Sequence, residues 1–525
     1  MRPGPTRLRR ARRRSTNDPA RHVIDVDIAI IGSGVGGGAV ALSLAGTGAR
    51  IAILERGERL PREAANADPE AVFVQRRYRA TEQWVDGEGA TFTPGQYYFV
   101  GGHTKFYGTA MFRLREHDFE ASEHEDGVSP AWPLRYADLE PFYAQAEALF
   151  HVHGQAGIDP TEPPRSSPYP YPAVPHEPLI GALADKLRAR GLKPFHMPSA
   201  IDLRAGGRCI RCGTCDAFPC RQGAKGDAEV CLIDPALAQP NVTLHTGCRV
   251  TRLVTDDEGK RIVAAEFEQG GAMQTIRARL FVLSAGAINS ALLLQRSATV
   301  RHPQGLANAS GAVGRYYMNH NTTCVMGLLP FTVNDTRFPK TLTLNDFYAA
   351  KAGRRRALGN IQMLGNIQEP MIRSAMPSLP GWVGRPLARH SVDFLVMSED
   401  LPHADSRAQV LPDGRTRLDW RRTNLRTHAA FVRQTKALLR KTGFAAVLSR
   451  PFGLDVPSHQ CGTVRFGSDP AYAPLDPWCR AWQHPNLYVV DASFFPSSAA
   501  LNPALTVAAQ ALRVGAHLKD RLSDF

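Results

Sequence analysis

Apolar residues in this chain come in two textures. In the first they run together. Ile28 to Ile31, Arg50 to Leu54, Leu280 to Leu283 and Leu487 to Val490 are short apolar runs, as suits strands buried on both faces of a parallel sheet. In the second they recur at helical spacing. Leu139, Phe142, Tyr143, Ala146 and Phe150 predict an amphipathic helix over Asp138 to Phe150, with Pro141 in its first turn. Leu179 to Arg190 and Ala429 to Thr442 read as further helices. A small-residue helix follows the first strand, and another begins at Asn502-Pro503.

The order of these textures predicts the organisation. Residues 241 to 268 read as a pair of strands and a hairpin turning at Asp256 to Gly259. From about 311 to 455 the strands become polar and arginine-rich. Val392 to Met397 and Arg417 to Trp420 alternate as an antiparallel sheet would, and Pro370 to Leu387 reads as a mobile loop. Buried-strand texture returns in the last 70 residues. The expected fold class is therefore α/β, with a discontinuous nucleotide-binding domain (23–310, with excursions at 151–240, and 456–525). An α+β domain containing an antiparallel sheet (311–455) is inserted into it, and a basic tail covers 1–22.

The first strand leads straight into Gly32, Gly34 and Gly37, with the spacing GxGxxG. The first glycine permits the tight turn, the second lets backbone approach a pyrophosphate, and the third packs helix against strand. Phosphates then meet the free N–H groups and positive dipole end of the helix. Glu55 closes the second strand, 18 residues past Gly37, where a carboxylate accepts from a ribose hydroxyl. An acid there argues against a 2′-phosphate and favours FAD or NAD.

Composition narrows the class. A 43% hydrophobic, 21% charged chain is ordinary for a globular protein with room for a large core. No uninterrupted apolar run is long enough for a membrane span. Much of the formal charge of +14 sits in the tail with Arg7, Arg9, Arg10, Arg12, Arg13 and Arg14, read as a solvated segment rather than a nucleic-acid arm. Nine cysteines in a chain this long are not a secreted disulfide framework, so a cytoplasmic protein with reduced thiols is expected.

Two further stretches carry chemistry. Tyr97 to Met111 mixes glycines, small residues and aromatics without helix or strand period, as suits backbone passing close to a flat ligand. Cys209, Cys212, Cys215 and Cys220 follow C-x2-C-x2-C-x4-C. That is near an iron–sulfur spacing and contains zinc-type pairs, but it is longer than the usual ferredoxin run, and its proline precedes the last cysteine. A metal, free thiols and a local disulfide all stay open; no metal is assigned.

Four stretches together resemble the glucose-methanol-choline (GMC) oxidoreductases. They are Gly32 to Gly37 with Glu55; Gly101 to Met111; Ser284 to Ser290; and His459-x-x-Gly462-Thr463 with Val490-Asp491 and Asn502-Pro503-x-x-Thr506. The resemblance runs nearly end to end. It implies a Rossmann-type FAD-binding domain and an inserted substrate domain. It implies an FAD-dependent enzyme that oxidises a primary or secondary alcohol by hydride transfer to flavin N5, with His459 as base and Asn502 beside it. It places Gly32, Gly34, Gly37, Glu55, Gly101, Gly102, Thr104, Tyr107, Gly108, Val250, Asp491, Ala492 and Pro503 at the cofactor. Within the family, Phe106 to Ala110 and the Cys-Gly-x-Cys stretch look most like sugar-type and aminoglycoside-type members, so a sugar-like or polyol donor is expected.

Two departures matter. Phe106 stands where some members carry a histidine that links FAD covalently, which implies non-covalent FAD, and His103 is out of place for that linkage. Ser290-Ala291 replaces the Ser/Thr-Pro of the family's second signature. The electron acceptor is oxygen, a quinone or a redox protein. Two alternatives stand beside this reading: an iron–sulfur dehydrogenase subunit passing electrons to a protein partner, and a non-catalytic flavin-binding protein.

Overall fold

Five short strands lie parallel in the order Val242–His245, Ile51–Leu54, Ile28–Ile31, Leu280–Leu283 and Leu487–Val489. The computed structural model describes residues 23–349, 357–456 and 459–525; the basic tail, residues 1–22, lies outside them. Every residue of the strands Ile28–Ile31, Ile51–Leu54 and Leu280–Leu283 is buried, so each Ile, Leu, Val and Phe side chain there contributes roughly 1.5–3 kcal/mol by leaving water. Strand order reverses at Ile28–Ile31, which opens a crevice at the carboxyl ends of that strand and Leu280–Leu283.

The helix Val35–Leu44 packs on the C-terminal helix Ala504–Lys519, which also packs on Tyr136–Leu149. Small residues allow the first crossing. A Cβ on Gly515 would lie 2.5 Å from Ser43 Cβ. The helix expected from Asp138 begins earlier, at Tyr136, so Pro141 falls inside it rather than in its first turn. The polypeptide leaves this parallel domain and returns to it, because Leu487–Val489 and Ala504–Lys519 complete it from the far end of the chain.

A second sheet of six antiparallel strands has the order Phe195–His196, Leu342–Leu344, Asn360–Met363, Ser391–Ser398, Asn321–Leu328 and Ala446–Pro451. Alternate residues of these strands form its own core. Val325, Ile361, Phe394 and Val396 pack against Phe431 and Leu439 of the helix Leu425–Lys441, and against Ile180 and Leu183 of Pro178–Arg188. The opposite face carries Gln362, Leu395 and Cys324, cross-strand neighbours in one row.

Two local expectations are corrected. Thr416–Asp419 does not join the strand Ser391–Ser398. It pairs with Arg407–Val410 and, in parallel, with Trp84–Asp86 in a separate four-stranded sheet. The stretch Pro370 to Leu387, read as a loop, holds the helices Glu369–Ala375 and Gly381–Arg389. Its prolines misled the reading. Pro370 sits in the first helical turn and Pro380 is a cap, positions where a missing N–H breaks no helical bond.

Candidate active site

One cavity of about 1250 Å³ runs from the glycine turn to the face of the six-stranded sheet that carries Leu395 and Cys324. That exceeds the roughly 300–1,000 Å³ of a site for one small molecule. It has room for a cofactor and a donor together.

At one end the backbone is shaped by glycine. Gly32 has φ +100°, and a Cβ there would lie 2.2 Å from the Ser284 carbonyl oxygen. A Cβ on Gly37 would lie 2.1 Å from the Gly32 oxygen, which is the close helix–strand approach its spacing predicts. Gly34 differs. A Cβ there would meet no protein atom within 4 Å and would project into open space. Gly102 comes up opposite, where an added Cβ would sit 3.2 Å from Gly34 Cα. These features leave an open cradle beside the N-terminus of Val35–Leu44, where free N–H groups suit an anion.

Glu55 is buried at this end. Its Oε2 accepts from Ser33 N (3.0 Å) and Ser33 Oγ, and its Oε1 accepts from Gly57 N (2.8 Å). Burial raises its carboxyl above the ordinary value, and these bonds oppose the rise. The carboxylate therefore braces the glycine turn as well as facing the cavity. Thr104 Oγ1 donates to Gly101 O (2.6 Å) and accepts from Ala228 N (3.0 Å), and Tyr107 OH donates to the Gly226 carbonyl. Asp491 does the same work at the next turn. It accepts from Gly286 N (3.0 Å), Ser493 N (2.9 Å) and Ser290 Oγ. Ser290, which keeps the serine of that signature while Ala291 replaces its proline, thus ties the strand Leu280–Leu283 and the helix Ala287–Arg296 to the aspartate. Gly101, Gly108, Val250, Ala492 and Pro503 all line the cavity, with Pro503 capping Ala504–Lys519. Gly37 is a packing residue rather than a lining one.

Phe106 stacks face to face on Tyr97, with centroids 3.9 Å apart, and is buried. His103 is turned aside, its Nε2 3.0 Å from Gln96 Oε1, and burial pushes its pKa down to about 4.

Deeper in, His459 and Asn502 come together although 43 residues separate them. Asn502 Nδ2 lies 3.1 Å from His459 Nε2. Sequence reasoning missed two partners. His320 Nδ1 lies 2.9 Å from His459 Nδ1, and Gln362 Nε2 donates to Asn502 Oδ1 at 2.9 Å. The network assigns the protons. His320 Nε2 faces the Ser498 carbonyl at 2.8 Å, which only accepts, so that nitrogen carries hydrogen. In the neutral ring Nδ1 is then bare and accepts from His459 Nδ1–H. His459 Nε2 is left with its lone pair, held by the Asn502 amide at the cavity wall. Burial holds His459 well below its ordinary pKa, and its neighbours His320 and Lys340 lower it further. The site thus presents a neutral imidazole base beside an amide donor, suited to removing a hydroxyl proton while negative charge develops on oxygen.

Lys340 itself is buried and paired with Asp216 at 2.6 Å, both lining the cavity. The four clustered cysteines are free thiols away from the cavity lining. Among the described residues, no three His, Cys, Asp or Glu side chains converge as a metal site requires. No helix among them is long and apolar enough to cross a membrane.

Comparison with known proteins places these features in context. The chain matches the family profiles described as GMC oxidoreductase over residues 34–322 and 401–511. It is 33% identical to paromamine 6'-oxidase of Streptomyces fradiae, over 93% of this chain and 90% of that protein. It is 32% identical to 6'''-hydroxyparomomycin C oxidase of Streptomyces lividus, over 95% and 92%. It is 27% identical to 2-methyl-1,2-propanediol dehydrogenase of Mycolicibacterium austroafricanum, over 95% and 96%. Among solved structures, pyridoxine 4-oxidase from Mesorbium loti superposes with a TM-score of 0.64 at 19% identity, covering 94% of this chain and 99% of that one, which is a likeness of fold.

Proposed function

The chain belongs to the GMC oxidoreductase family of FAD-dependent enzymes acting on alcohols; from that premise we propose that it oxidises a primary or secondary alcohol with His459 as base. The observation that carries this is the assigned lone pair on His459 Nε2, held beside Asn502 in the same cavity as the glycine cradle. FAD, when bound, supplies the hydride acceptor. The protein supplies the rest. Gly34 and Gly102 would leave room for the FAD pyrophosphate, and Glu55 would hold its adenosine end. The N-terminus of Ala504–Lys519 favours negative charge at the ring end. His459 takes the hydroxyl proton, and the Asn502 N–H donates to the developing alkoxide.

In this reading FAD is held without a covalent link, which the Phe106–Tyr97 stack supports. Residues 23–310 and 456–525 form the cofactor half and 311–455 the donor half, with Pro178–Arg188 packed on the donor sheet. The names of the two Streptomyces relatives support the sugar-like donor expected from the sequence; the lining of the cavity supports a different body on the same alcohol. The test is anaerobic bleaching of the flavin by a panel of alcohols. His459→Ala should retain FAD and lose flavin reduction on the order of 10²–10⁴-fold. Unchanged reduction in that variant removes His459 from the reaction.

A further inference from the structure

Resting on the alcohol-oxidising reading, we propose that the donor is an alcohol with an apolar body, seated hydroxyl-first between the six-stranded sheet and the helices Glu369–Ala375 and Gly381–Arg389. The sheet face that carries Gln362 to Asn502 continues outward as Leu395 and Cys324 in the same row, with Met326 and Leu448 in the next beside Asp393, whose carboxylate accepts from Ile367 N at 2.9 Å and is not among the cavity-lining residues. Leu395, Cys324, Met326 and Leu448 all line the cavity. Ile367, Met371, Ile372 and Leu387 line it as well. At the rim, Met376 and Leu448 are 48% and 46% exposed, which gives an apolar donor an apolar entry.

Three polar groups that line the cavity near this face already bond protein partners. Arg450, next to Cys324 in the row, donates to the Ala375 carbonyl. Ser374 donates to Phe73 O at 2.9 Å. Asp216, the carboxylate at the inner end, is paired with Lys340. A donor bearing several hydroxyl or ammonium groups would leave them facing methyl, methylene and thioether groups, without the bonds that water gave them. A hydrocarbon body gains from the same contacts. At the hydroxyl end stand His459 and Asn502, with the Lys340–Asp216 pair also in the lining.

The experiment uses the FAD-loaded protein and the 1-alkanols from ethanol to octanol, with glucose, sorbitol and paromamine alongside. Flavin reduction is followed anaerobically. Displacement of an environment-sensitive naphthalene dye gives a second readout, independent of the reaction. The expected result is a rise in kcat/KM and in displacing power of about fourfold for each methylene buried, with the sugars weaker on both. A flat alkanol series with faster reduction by a sugar or by paromamine overturns the apolar donor and leaves the oxidation reading standing. Chain-length-dependent displacement without any flavin reduction supports the chamber and overturns the oxidation reading. Neither reduction nor displacement overturns both. Leu395→Asn should flatten the chain-length dependence; a folded Leu395→Asn protein with the original dependence also overturns the proposal.

Discussion

His320 and His459 meet through their Nδ1 atoms at 2.9 Å, across 139 residues of sequence. Two imidazoles joined in this way must divide one proton between them, and the Ser498 carbonyl on the far side of His320 decides which ring holds it. In the proposed reaction His320 is therefore a positioning residue, fixing the tautomer and the plane of the His459 ring. Replacing it by Ala should lower the rate of flavin reduction by on the order of tenfold to a hundredfold with FAD still bound. His320→Gln, whose amide oxygen can accept from His459 Nδ1–H, should restore part of the rate. Equal losses in the two variants would mean that His320 acts only through packing.

The neutral state of His459 predicts the pH profile. Its folded pKa lies well below 6.5, through burial and then the nearby His320 and Lys340. A base must be unprotonated to act, so flavin reduction should be flat above pH 6.5 and fall only on the acid side of it. Stopped-flow reduction across pH checks this. A limb rising through neutral or alkaline pH, and absent from the His320→Ala protein, would place the base at a higher pKa than this environment permits.

Two glycines of one motif should fail in different ways. Gly32→Ala puts a Cβ against the Ser284 carbonyl at a left-handed φ, so the chain should lose soluble, folded protein. Gly34 has φ −70°, and its Cβ would meet nothing in the protein. Gly34→Ala should fold with an unchanged Tm without cofactor and yet lose FAD affinity. Flavin content and apoprotein melting, measured on both variants, separate a folding glycine from a binding one. Full flavin occupancy in Gly34→Ala would move the pyrophosphate elsewhere.

Much of this architecture is legible in the sequence, for a physical reason. Strands buried on both faces must be apolar throughout, so Ile28–Ile31, Leu280–Leu283 and Leu487–Val489 stand out in the chain, and with them the discontinuous parallel sheet. The glycine turn is legible because its backbone geometry excludes other residues. His320 was not legible. It lies in Met-Asn-His-Asn, where neither period nor spacing marks it, and its role exists only through contacts with residues 139 and 178 positions away. The apolar chamber was hidden likewise. Leu395, Cys324 and Gln362 share a row only once three strands are in register. The helices around Pro370 and Pro380 were missed because proline ends helices in their interiors but is at home in their first turns.

Acid should loosen the donor half through His428. This ring lies between Thr323 Oγ1 (2.8 Å) and Ser398 Oγ (2.7 Å), and so pins the helix Leu425–Lys441 to the sheet. Burial pushes its pKa down to about 4, from 6.5. Between those values the unfolded chain binds a proton that the folded one refuses, so stability rises with pH across this window. Tm should therefore fall as pH drops from 6.5 towards 4. His428→Gln should melt lower at neutral pH but show a shallower fall. An identical pH dependence in the variant would assign the acid sensitivity to other groups, His103 among them.

The anchor of the helix that follows Asn502 is a buried ion cluster, and it makes an asymmetric prediction. Arg113 grips Glu147 by two bonds of 2.9 Å, and both side chains are almost fully enclosed. Arg165 donates to the same carboxylate. Glu147 lies on Tyr136–Leu149, whose Tyr143 bonds Thr506 on Ala504–Lys519 at 2.8 Å. Removing the carboxylate takes from two buried guanidiniums the partner they share, leaving Arg113 only Glu140 and Tyr136 (2.9 Å each) and Arg165 only the longer Glu162 pair and the Ser167 carbonyl, whereas removing Arg113 leaves Glu147 paired with Arg165. Glu147→Ala should therefore destabilise by about 3–5 kcal/mol, and Arg113→Met, which keeps most of the side chain's volume, by clearly less. Urea unfolding of both variants at neutral pH decides it. If the two losses are equal, or reversed, the cluster is held by Arg113 alone and the Arg165 bond contributes nothing.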